Sequence, residues 1–444
     1  MHYLNTEDVI IAQCTSEGFG AINVIRISGS SLVGLYKKIT KTKKSPTPNT
    51  ILKKGVYSDN VLLDHCLVSY FMGPNSFTGE DVIEINCHGG SFVSHNIISK
   101  LCNANLVRHA LPGEFTFRSY YNGKIDLIQA ESINDLVQSE TNVFANKSME
   151  NLTGRLSDEI KKIKKEITTV TVGLEYELDL SENEIDYTDN KHMYANIKLI
   201  VKRLEKINAS TLFSNIIQRG IKVVLAGKPN VGKSSLFNHL LGNSRSIVSE
   251  IAGTTRDTIE AVLEVGGYKV KIIDTAGYWE SSDQIEKMGI KKTKSEILES
   301  DIILFLGEQR GDLNLLRGFG KDKKTIKILS KSDINSSTGY DVSVCSINGD
   351  GMGDLLTVLS TKIHEVSNTK SINAEYYIND RQQNAINTLI NDGNVLLGQI
   401  KNNVSHDIIA DLLHGLIDVL NEIINPINKE DIINDVFSSF CIGK

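Results

Sequence analysis

Between residues 149 and 174, apolar side chains recur at every third or fourth position: Met149, Leu152, Leu156, Ile160, Ile163, Ile167, Val170 and Leu174. That spacing places them on one face of a long amphipathic helix. The acidic stretch "EYELDLSENEIDYTDN" (175–190) breaks the pattern, and a second helical period follows over about 192–213. Upstream, the apolar runs "VIIAQC", "AINVIRISG", "CLVSYFM" and "DVIEINCHGG" alternate with turn-rich segments. They predict a small α+β domain, with the polar stretch "TKTKKSPTPNT" (40–50) as a loop. From 221 to about 365 strand and helix patterns alternate, as in a nucleotide-binding α/β domain. Beyond about 380 the helical period returns at Ile409, Leu412, Leu413, Leu416 and Leu420.

Helical sequence on both sides of an α/β block predicts an insertion. The expected organisation is a multidomain α/β and α+β chain. It has an N-terminal α+β domain (1–120), a first helical segment (121–215), an inserted α/β domain (216–370) and a second helical segment ending in "CIGK" (371–444).

Composition narrows the setting. Of the 444 residues, 40% are hydrophobic and 23% charged, as in a soluble globular protein. No apolar run approaches the ~18–20 residues of a membrane span, and "MHYLNTEDVIIAQ" lacks the features of a signal peptide. The six cysteines (Cys14, Cys66, Cys87, Cys102, Cys345, Cys441) show no C-x-x-C spacing, so no zinc site or disulfide framework is expected. A reducing, cytoplasmic location and no membrane partner are expected. The net charge of −6 gives no global attraction to nucleic acid. The local basic runs at 37–44, 161–165 and 321–327 read as solvated faces or loops.

The chemistry is concentrated in the α/β block. "IKVVLAGKPNVGKSS" (221–235) is a strand-type run leading into Gly227-x-x-x-x-Gly232-Lys233-Ser234 and then a helical segment. This is the context a P-loop requires. The glycines let successive backbone N–H groups converge on phosphate oxygens, and the following helix adds its N-terminal partial charge. Lys233 would reach the β- and γ-phosphates, and Ser234 would ligate magnesium. Asn230, Val231, Gly232 and Ser235 complete the phosphate-facing set. In "SEIAGTTRD" (249–257), Ser249, Glu250, Ile251, Ala252, Gly253 and Thr254 lead to Thr255, the hydroxyl that would close over magnesium. Asp274 ends an apolar run and opens "DTAG", with Thr275, Ala276 and a Gly277 N–H placed to sense the γ-phosphate.

The base is read further on. In "SKSD" (330–333), Asp333 would accept from the N1–H and exocyclic amine of guanine, a donor pair adenine does not offer. Lys331 would lie along the base, beside Ser330 and Ser332. Cys345, Ser346 and Ile347 would present a backbone N–H to the guanine keto oxygen. The order of these segments specifies GTP. Tyr278 stands where many switch GTPases carry a Gln that orients the attacking water. The Asn230 amide oxygen could hold a monovalent cation beside the phosphates, or Asn230 could simply form the turn.

Outside this block, several long stretches resemble one family, the tRNA-modifying GTPase MnmE, also called TrmE. They include "VIRISG" (24–29), "GPNSFTGEDVIEINCHGG" (73–90), "LPGEFTFRSYYNGKIDLIQAESINDLV" (111–137) and "FSSFCIGK" (437–444). "GKPNVGKSSLFNHLLG" and "SEIAGTTRD" join them in the α/β block, so the resemblance covers nearly the whole chain. It implies an N-terminal folate-binding domain that dimerises, a helical domain built from two segments, and an inserted Ras-like GTPase domain. It implies a homodimer that forms a heterotetramer with two subunits of the flavoprotein MnmG and acts on tRNA. Together they would add an aminomethyl or carboxymethylaminomethyl group to carbon 5 of the wobble uridine, with 5,10-methylenetetrahydrofolate or 5-formyltetrahydrofolate as the folate.

The same resemblance assigns potassium to Asn230, Ser249, Ile251 and Thr254, where two GTPase domains would meet. It gives Glu286 the role of orienting the water, and Arg26, Glu84, Lys124 and Lys444 the folate site. Arg26 and Glu84 read on their own would be surface strand residues. Cys441 would reach the folate or the uridine as a single thiol. The chain departs from the family pattern at "TSEGF" (15–19), at Cys345-Ser346, at Trp279 and at "LGEQRGD" (306–312). It departs also at Ser330, which stands where the family has an Asn that ties this loop to the P-loop, so a lower nucleotide affinity is expected. A GTP-switch protein assisting ribosome assembly shares the P-loop block, but would carry a basic RNA-binding domain. A membrane-remodelling GTPase would carry a basic amphipathic paddle, which is not found.

Overall fold

The computed structural model describes residues 7–179, 190–243, 259–274, 296–318, 324–371, 375–426 and 430–444. These fall into two compact units. One comprises the chain up to Asn134 with residues 152–161 and 418–444, the other residues 135–151 and 162–417.

The first unit is built on a six-stranded sheet of β1 (Ile10–Gln13), β2 (Ile22–Gly29), β3 (Thr50–Ser58), β4 (Val61–Phe71), β5 (Asp81–His88) and β6 (Arg108–His109), in the order β3-β4-β5-β2-β1-β6. Only the β1–β6 pairing is parallel. Strand alternation decides which residues face the core. Ile25 and Ile27 of β2, with Ile83 and Ile85 of β5, enter a cluster that contains Tyr36 and Ile39 of α1 (Val33–Thr40) and Ile97 and Leu101 of α2 (Ser91–Asn103). Arg26 and Glu84, the intervening residues, are thereby turned to the opposite face, where the Arg26 guanidinium lies over the rings of Phe77 and Phe115. Phe115 belongs to α3 (Glu114–Tyr121), whose Phe117 and Tyr120 pack with Leu127 and Ala130 of α4 (Leu127–Gln138). Ile433 and Phe437 of the C-terminal helix Glu430–Ser438 complete that cluster. The Phe117 and Phe437 rings meet edge to face at 5.5 Å, a favoured aromatic geometry.

The long apolar period seen in the sequence is two helices, α5 (Asn142–Leu152) and α6 (Arg155–Asp179). Gly154 separates them at φ +99°, a conformation that would strain any residue with a Cβ. The period expected over 192–213 is likewise divided. α7 (Asn190–Asn208) and α8 (Thr211–Arg219) are separated at buried Ser210, whose Oγ accepts from the Tyr376 N–H.

The second unit contains a six-stranded sheet in the order β12-β11-β10-β7-β9-β8. It comprises β7 (Ile221–Gly227), β8 (Ile259–Val265), β9 (Tyr268–Asp274), β10 (Ile302–Gly307), β11 (Lys324–Ser330) and β12 (Val342–Val344). All pairings are parallel except β8 with β9 at one edge. The central strands are almost wholly apolar, as expected for strands covered on both faces. Their two faces enter separate clusters: Val223 and Leu225 in one, Val224 and Ala226 in the other. Helix α9 (Lys233–Asn243) follows β7, and α10 (Met352–Ser371) follows β12. Further helices are α11 (Asp380–Lys401), α12 (His406–Ile424) and the C-terminal helix, α13. Asn379 caps α11 with a reciprocal Asn379–Gln382 capping box. Among the described residues, no helix is long and apolar enough to cross a membrane.

Candidate functional site

Strand register brings the carboxyl ends of the parallel sheet into line. Leu225 lies opposite Asp274, Gly227 opposite Leu306, and Ser330 opposite Val344. In parallel α/β sheets that edge is where ligands are received. β7 runs directly into the loop 227–232 and then into α9, so the loop's N–H groups and the helix N-terminus share one location. Gly227 (φ +150°) leaves no room for a side chain, since a Cβ there would lie 2.4 Å from the Leu306 carbonyl oxygen. Asn230 also has a left-handed backbone, at φ +61°.

Lys233 is 4% exposed, and its ammonium donates to the carbonyls of Gly227 (3.0 Å) and Lys228 (2.8 Å). Burial pushes its pKa down and the Asp274 carboxylate pushes it up, with a net lowering. The ammonium is thus held at the loop by carbonyls, an arrangement that an anion of several charges would compete with. Ser234 Oγ donates to Asp274 Oδ2 at 2.8 Å. A hydroxyl and a buried carboxylate at that separation are the hard oxygen donors that suit magnesium. Among the described residues, no cluster of three or more His, Cys, Asp or Glu side chains could hold a metal by itself.

The second loop of this edge is held from both sides. Ser332 N–H donates to the Val344 carbonyl, and Asn335 Nδ2 to the Ser330 carbonyl. Lys331 has φ +55° and its ammonium lies 2.6 Å from Glu308 Oε1. Asp333 is exposed at the loop surface. Cys345 is buried, the Ser346 carbonyl lies 3.2 Å from His239 Nδ1, and Ile347 is exposed. Ser330, where the family has an Asn, ties this loop to the P-loop: its Oγ donates to the Val231 carbonyl at 2.6 Å. Ser235 sits beside Ser234 in the first turn of α9. Ser249, Glu250, Ile251, Ala252, Gly253, Thr254, Thr255, Thr275, Ala276, Gly277, Tyr278, Trp279 and Glu286 lie outside the described residues.

A second constellation forms in the first unit. Arg26 and Glu84 are directly opposite one another on β2 and β5. Nε and Nη2 of Arg26 donate to Glu84 Oε1 at 3.0 and 2.9 Å. The last four residues dock beside them. The Gly113 N–H donates to the Cys441 carbonyl and the Phe115 N–H to the Lys444 carbonyl. Gly443 (φ +98°) approaches β1 so closely that a Cβ would lie 2.2 Å from the Gln13 carbonyl oxygen. Lys444 is half-buried, and burial lowers its pKa. Lys124 is exposed and donates to the Pro74 carbonyl at 2.9 Å, on the loop that also carries Phe77. The structure therefore brings Arg26, Glu84 and Lys444 together, and Lys124 onto the adjoining loop. The Cys441 side chain is exposed.

Sequence reasoning missed Cys14. Its Sγ donates to the Gly443 carbonyl at 3.1 Å, and it lies within the electrostatic reach of Arg26, Glu84 and Lys444. Burial raises its pKa above the ordinary thiol value, with the two cations opposing. Only proximity to the "TSEGF" departure could have drawn attention to it.

The parallel sheet with one antiparallel edge, the P-loop joining β7 to α9, and the Ser234–Asp274 pair define a P-loop GTPase fold in the second unit, while the first unit is an N-terminal α+β sheet. A family model described as "MnmE helical domain" matches residues 127–441, and one described as "GTP-binding protein TrmE N-terminus" matches residues 9–124. Relatives named "tRNA modification GTPase MnmE" extend over the full length. The protein of Acetivibrio thermocellus is 36% identical over 462 aligned residues, covering 99% of each chain. Those of Prochlorococcus marinus and Clostridioides difficile are 34% and 31% identical, again covering 99% of each chain. The chain belongs to the MnmE family.

Proposed function

We propose that this chain is a GTP-hydrolysing tRNA modification enzyme. With a flavoprotein partner of the MnmG type it adds an aminomethyl or carboxymethylaminomethyl group to carbon 5 of the wobble uridine. The observation that carries this reading is the docking of residues 441–444 onto β1 and α3, which brings Lys444 to the Arg26–Glu84 pair. A GTP switch that only assists ribosome assembly has no use for a second site of this kind.

At the sheet edge, the loop 227–232 and Lys233 bind the phosphates, Ser234 and Asp274 hold magnesium with Thr255, and Asp333 reads guanine. Magnesium supplies charge neutralisation at the phosphates. Asn230 contributes an amide oxygen to potassium, with Ser249, Ile251 and Thr254 completing the cage when two GTPase domains meet. Glu286 orients the water where Tyr278 cannot. In the first unit, Arg26, Lys124 and Lys444 would take the anionic tail of a tetrahydrofolate, and Glu84 the donor edge of its pterin. Phe77 and Phe115 line the face that carries Arg26. A one-carbon tetrahydrofolate supplies the carbon added to the base. The protein acts in the cytoplasm as a homodimer joined by two flavoprotein subunits.

Reconstitution tests this reading. The purified chain is combined with the partner flavoprotein, unmodified tRNA, GTP, potassium, 5,10-methylenetetrahydrofolate, reduced nicotinamide and either glycine or ammonium. The wobble uridine should gain the corresponding mass, and omission of this chain should abolish the gain. An equal gain without this chain would refute the proposal.

A further inference from the structure

Two carboxylates link the loops of the nucleotide edge, and neither is accounted for by the roles above. Asp312, in the 3-10 helix Arg310–Gly318, is 3% exposed. Its Oδ2 accepts from the N–H groups of Glu308 (2.9 Å) and Gln309 (3.2 Å), and its Oδ1 lies 2.6 Å from Lys228 Nζ. Lys228 follows Gly227 in the phosphate loop. The Glu308 side chain points the other way, to Lys331 Nζ at 2.6 Å. The path therefore runs from Lys228 through Asp312 to the Glu308 backbone, then through the Glu308 carboxylate to Lys331 beside the base-reading Asp333.

The local structure makes this path stiff. The Tyr340 hydroxyl donates to the Gln309 carbonyl at 2.8 Å and closes over Gly307, where a Cβ would lie 2.3 Å from that hydroxyl oxygen. Burial pushes the Asp312 carboxyl up, but Lys228 and the two N–H donors overcome this and hold it below the ordinary carboxylate range. Asp312 is therefore charged at neutral pH. Lys331 is held in a left-handed backbone conformation that disfavours a side chain with a Cβ. The Glu308 ion pair fixes the side chain of this strained residue on the approach to the base.

We propose that Glu308 and Asp312 are positioning residues that set the phosphate loop and the guanine loop at a fixed separation before nucleotide arrives. This rests on the reading of the sheet edge as a GTP site. Such pre-organisation lowers the ordering cost of binding. It acts on ground and transition states alike, so it should appear in KM and not in kcat.

The test is a double-mutant cycle on the full chain, read by titration with fluorescent GDP and by steady-state GTP hydrolysis. Glu308→Gln should weaken GDP binding by about three- to tenfold and raise KM for GTP to match, with kcat unchanged. In a Lys331→Ala background the same change should have no further effect, because Glu308 acts through that ammonium. The Glu308 side chain is 38% exposed, so Glu308→Gln should not perturb folding, and unchanged thermal unfolding would confirm that. Unchanged GDP affinity in Glu308→Gln would overturn the proposal. So would an equal loss in both backgrounds, or a fall in kcat alone. Absence of saturable GDP binding by the wild-type chain would instead overturn the nucleotide site itself, and the proposal with it.

Discussion

The Ser330 hydroxyl donates a 2.6 Å hydrogen bond to the Val231 carbonyl, joining the start of the guanine loop to the middle of the phosphate loop. A serine is shorter than an asparagine, but here β11 ends close enough to the P-loop for it to reach. A Cβ on Gly232 would lie 3.0 Å from the same hydroxyl oxygen, so the two loops are already near contact. Ser330→Ala removes the donor. It should cost about 1 kcal/mol, or roughly fivefold in GDP affinity. An affinity within error of wild type in a GDP titration would show that the bond is incidental.

Base choice should rest on Asp333. Asp333→Asn replaces two acceptor positions by one acceptor and one donor. Binding of GTP should weaken by about 2–4 kcal/mol, as when polar groups of a site lose their partners. Xanthosine triphosphate, with a keto group in place of the amine, should gain affinity. Competition between the two nucleotides on the variant measures both effects at once.

Hydrolysis should depend on potassium. Asn230 offers an amide oxygen at the P-loop, and Tyr278 leaves the attacking water without a glutamine. Sodium is smaller and should fit a cage sized for potassium poorly. Turnover in potassium buffer should exceed that in sodium buffer at equal ionic strength. Equal rates would remove the cation from the mechanism.

The N-terminal unit should lose stability in acid. Glu114 is 1% exposed and Arg118 is fully buried. Burial raises the Glu114 pKa, but the hydrogen bonds from Arg108 and from the Leu111 N–H, with the Arg108 and Arg118 charges, bring it below its ordinary 4.5. A carboxyl with a depressed folded pKa stabilises the fold above its unfolded value, and loses that contribution as pH falls through the folded one. Denaturant melts should therefore weaken below about pH 4.5. Glu114→Gln should cost about 2 kcal/mol at pH 7, because buried Arg118 loses one of its two carboxylate partners and keeps only Glu80. That difference from wild type should shrink in acid.

The features legible in the sequence were local ones. The P-loop could be read because strand, glycines, lysine and helix are contiguous, and each has one physical reason to be there. Periodicity located the helices but not their breaks, since Thr153–Gly154 and Ala209–Ser210 interrupt chains whose apolar spacing continues across them. β3 is not legible in the sequence because "TILKKGVYS" is largely polar or exposed, and so lacks the alternation of a half-buried strand. The Cys14 contact could not be read from local sequence, because its partner Gly443 is 429 positions away. Glu308 and Asp312 were visible only as a departure from a familiar strand ending. Their partners Lys331 and Lys228 come from two other loops, and only the parallel sheet brings those loops together.

Both sites should serve one reaction, and nucleoside mass spectrometry of total tRNA tests this most directly. A strain lacking this protein is complemented with the wild-type chain, with Lys233→Ala or with Cys441→Ser. Lys233→Ala should disable phosphate binding at the loop 227–232. Cys441→Ser keeps side-chain size and hydrogen bonding, but its hydroxyl is far less acidic than a thiol. The Cys441 side chain is exposed while its carbonyl is held by Gly113, so the substitution should leave the tail docked. The wild-type chain should restore the modified wobble uridine and neither variant should, although Cys441→Ser should hydrolyse GTP normally. Full modification in the uncomplemented strain would contradict the proposed function, and full restoration by Lys233→Ala would separate GTP hydrolysis from the modification.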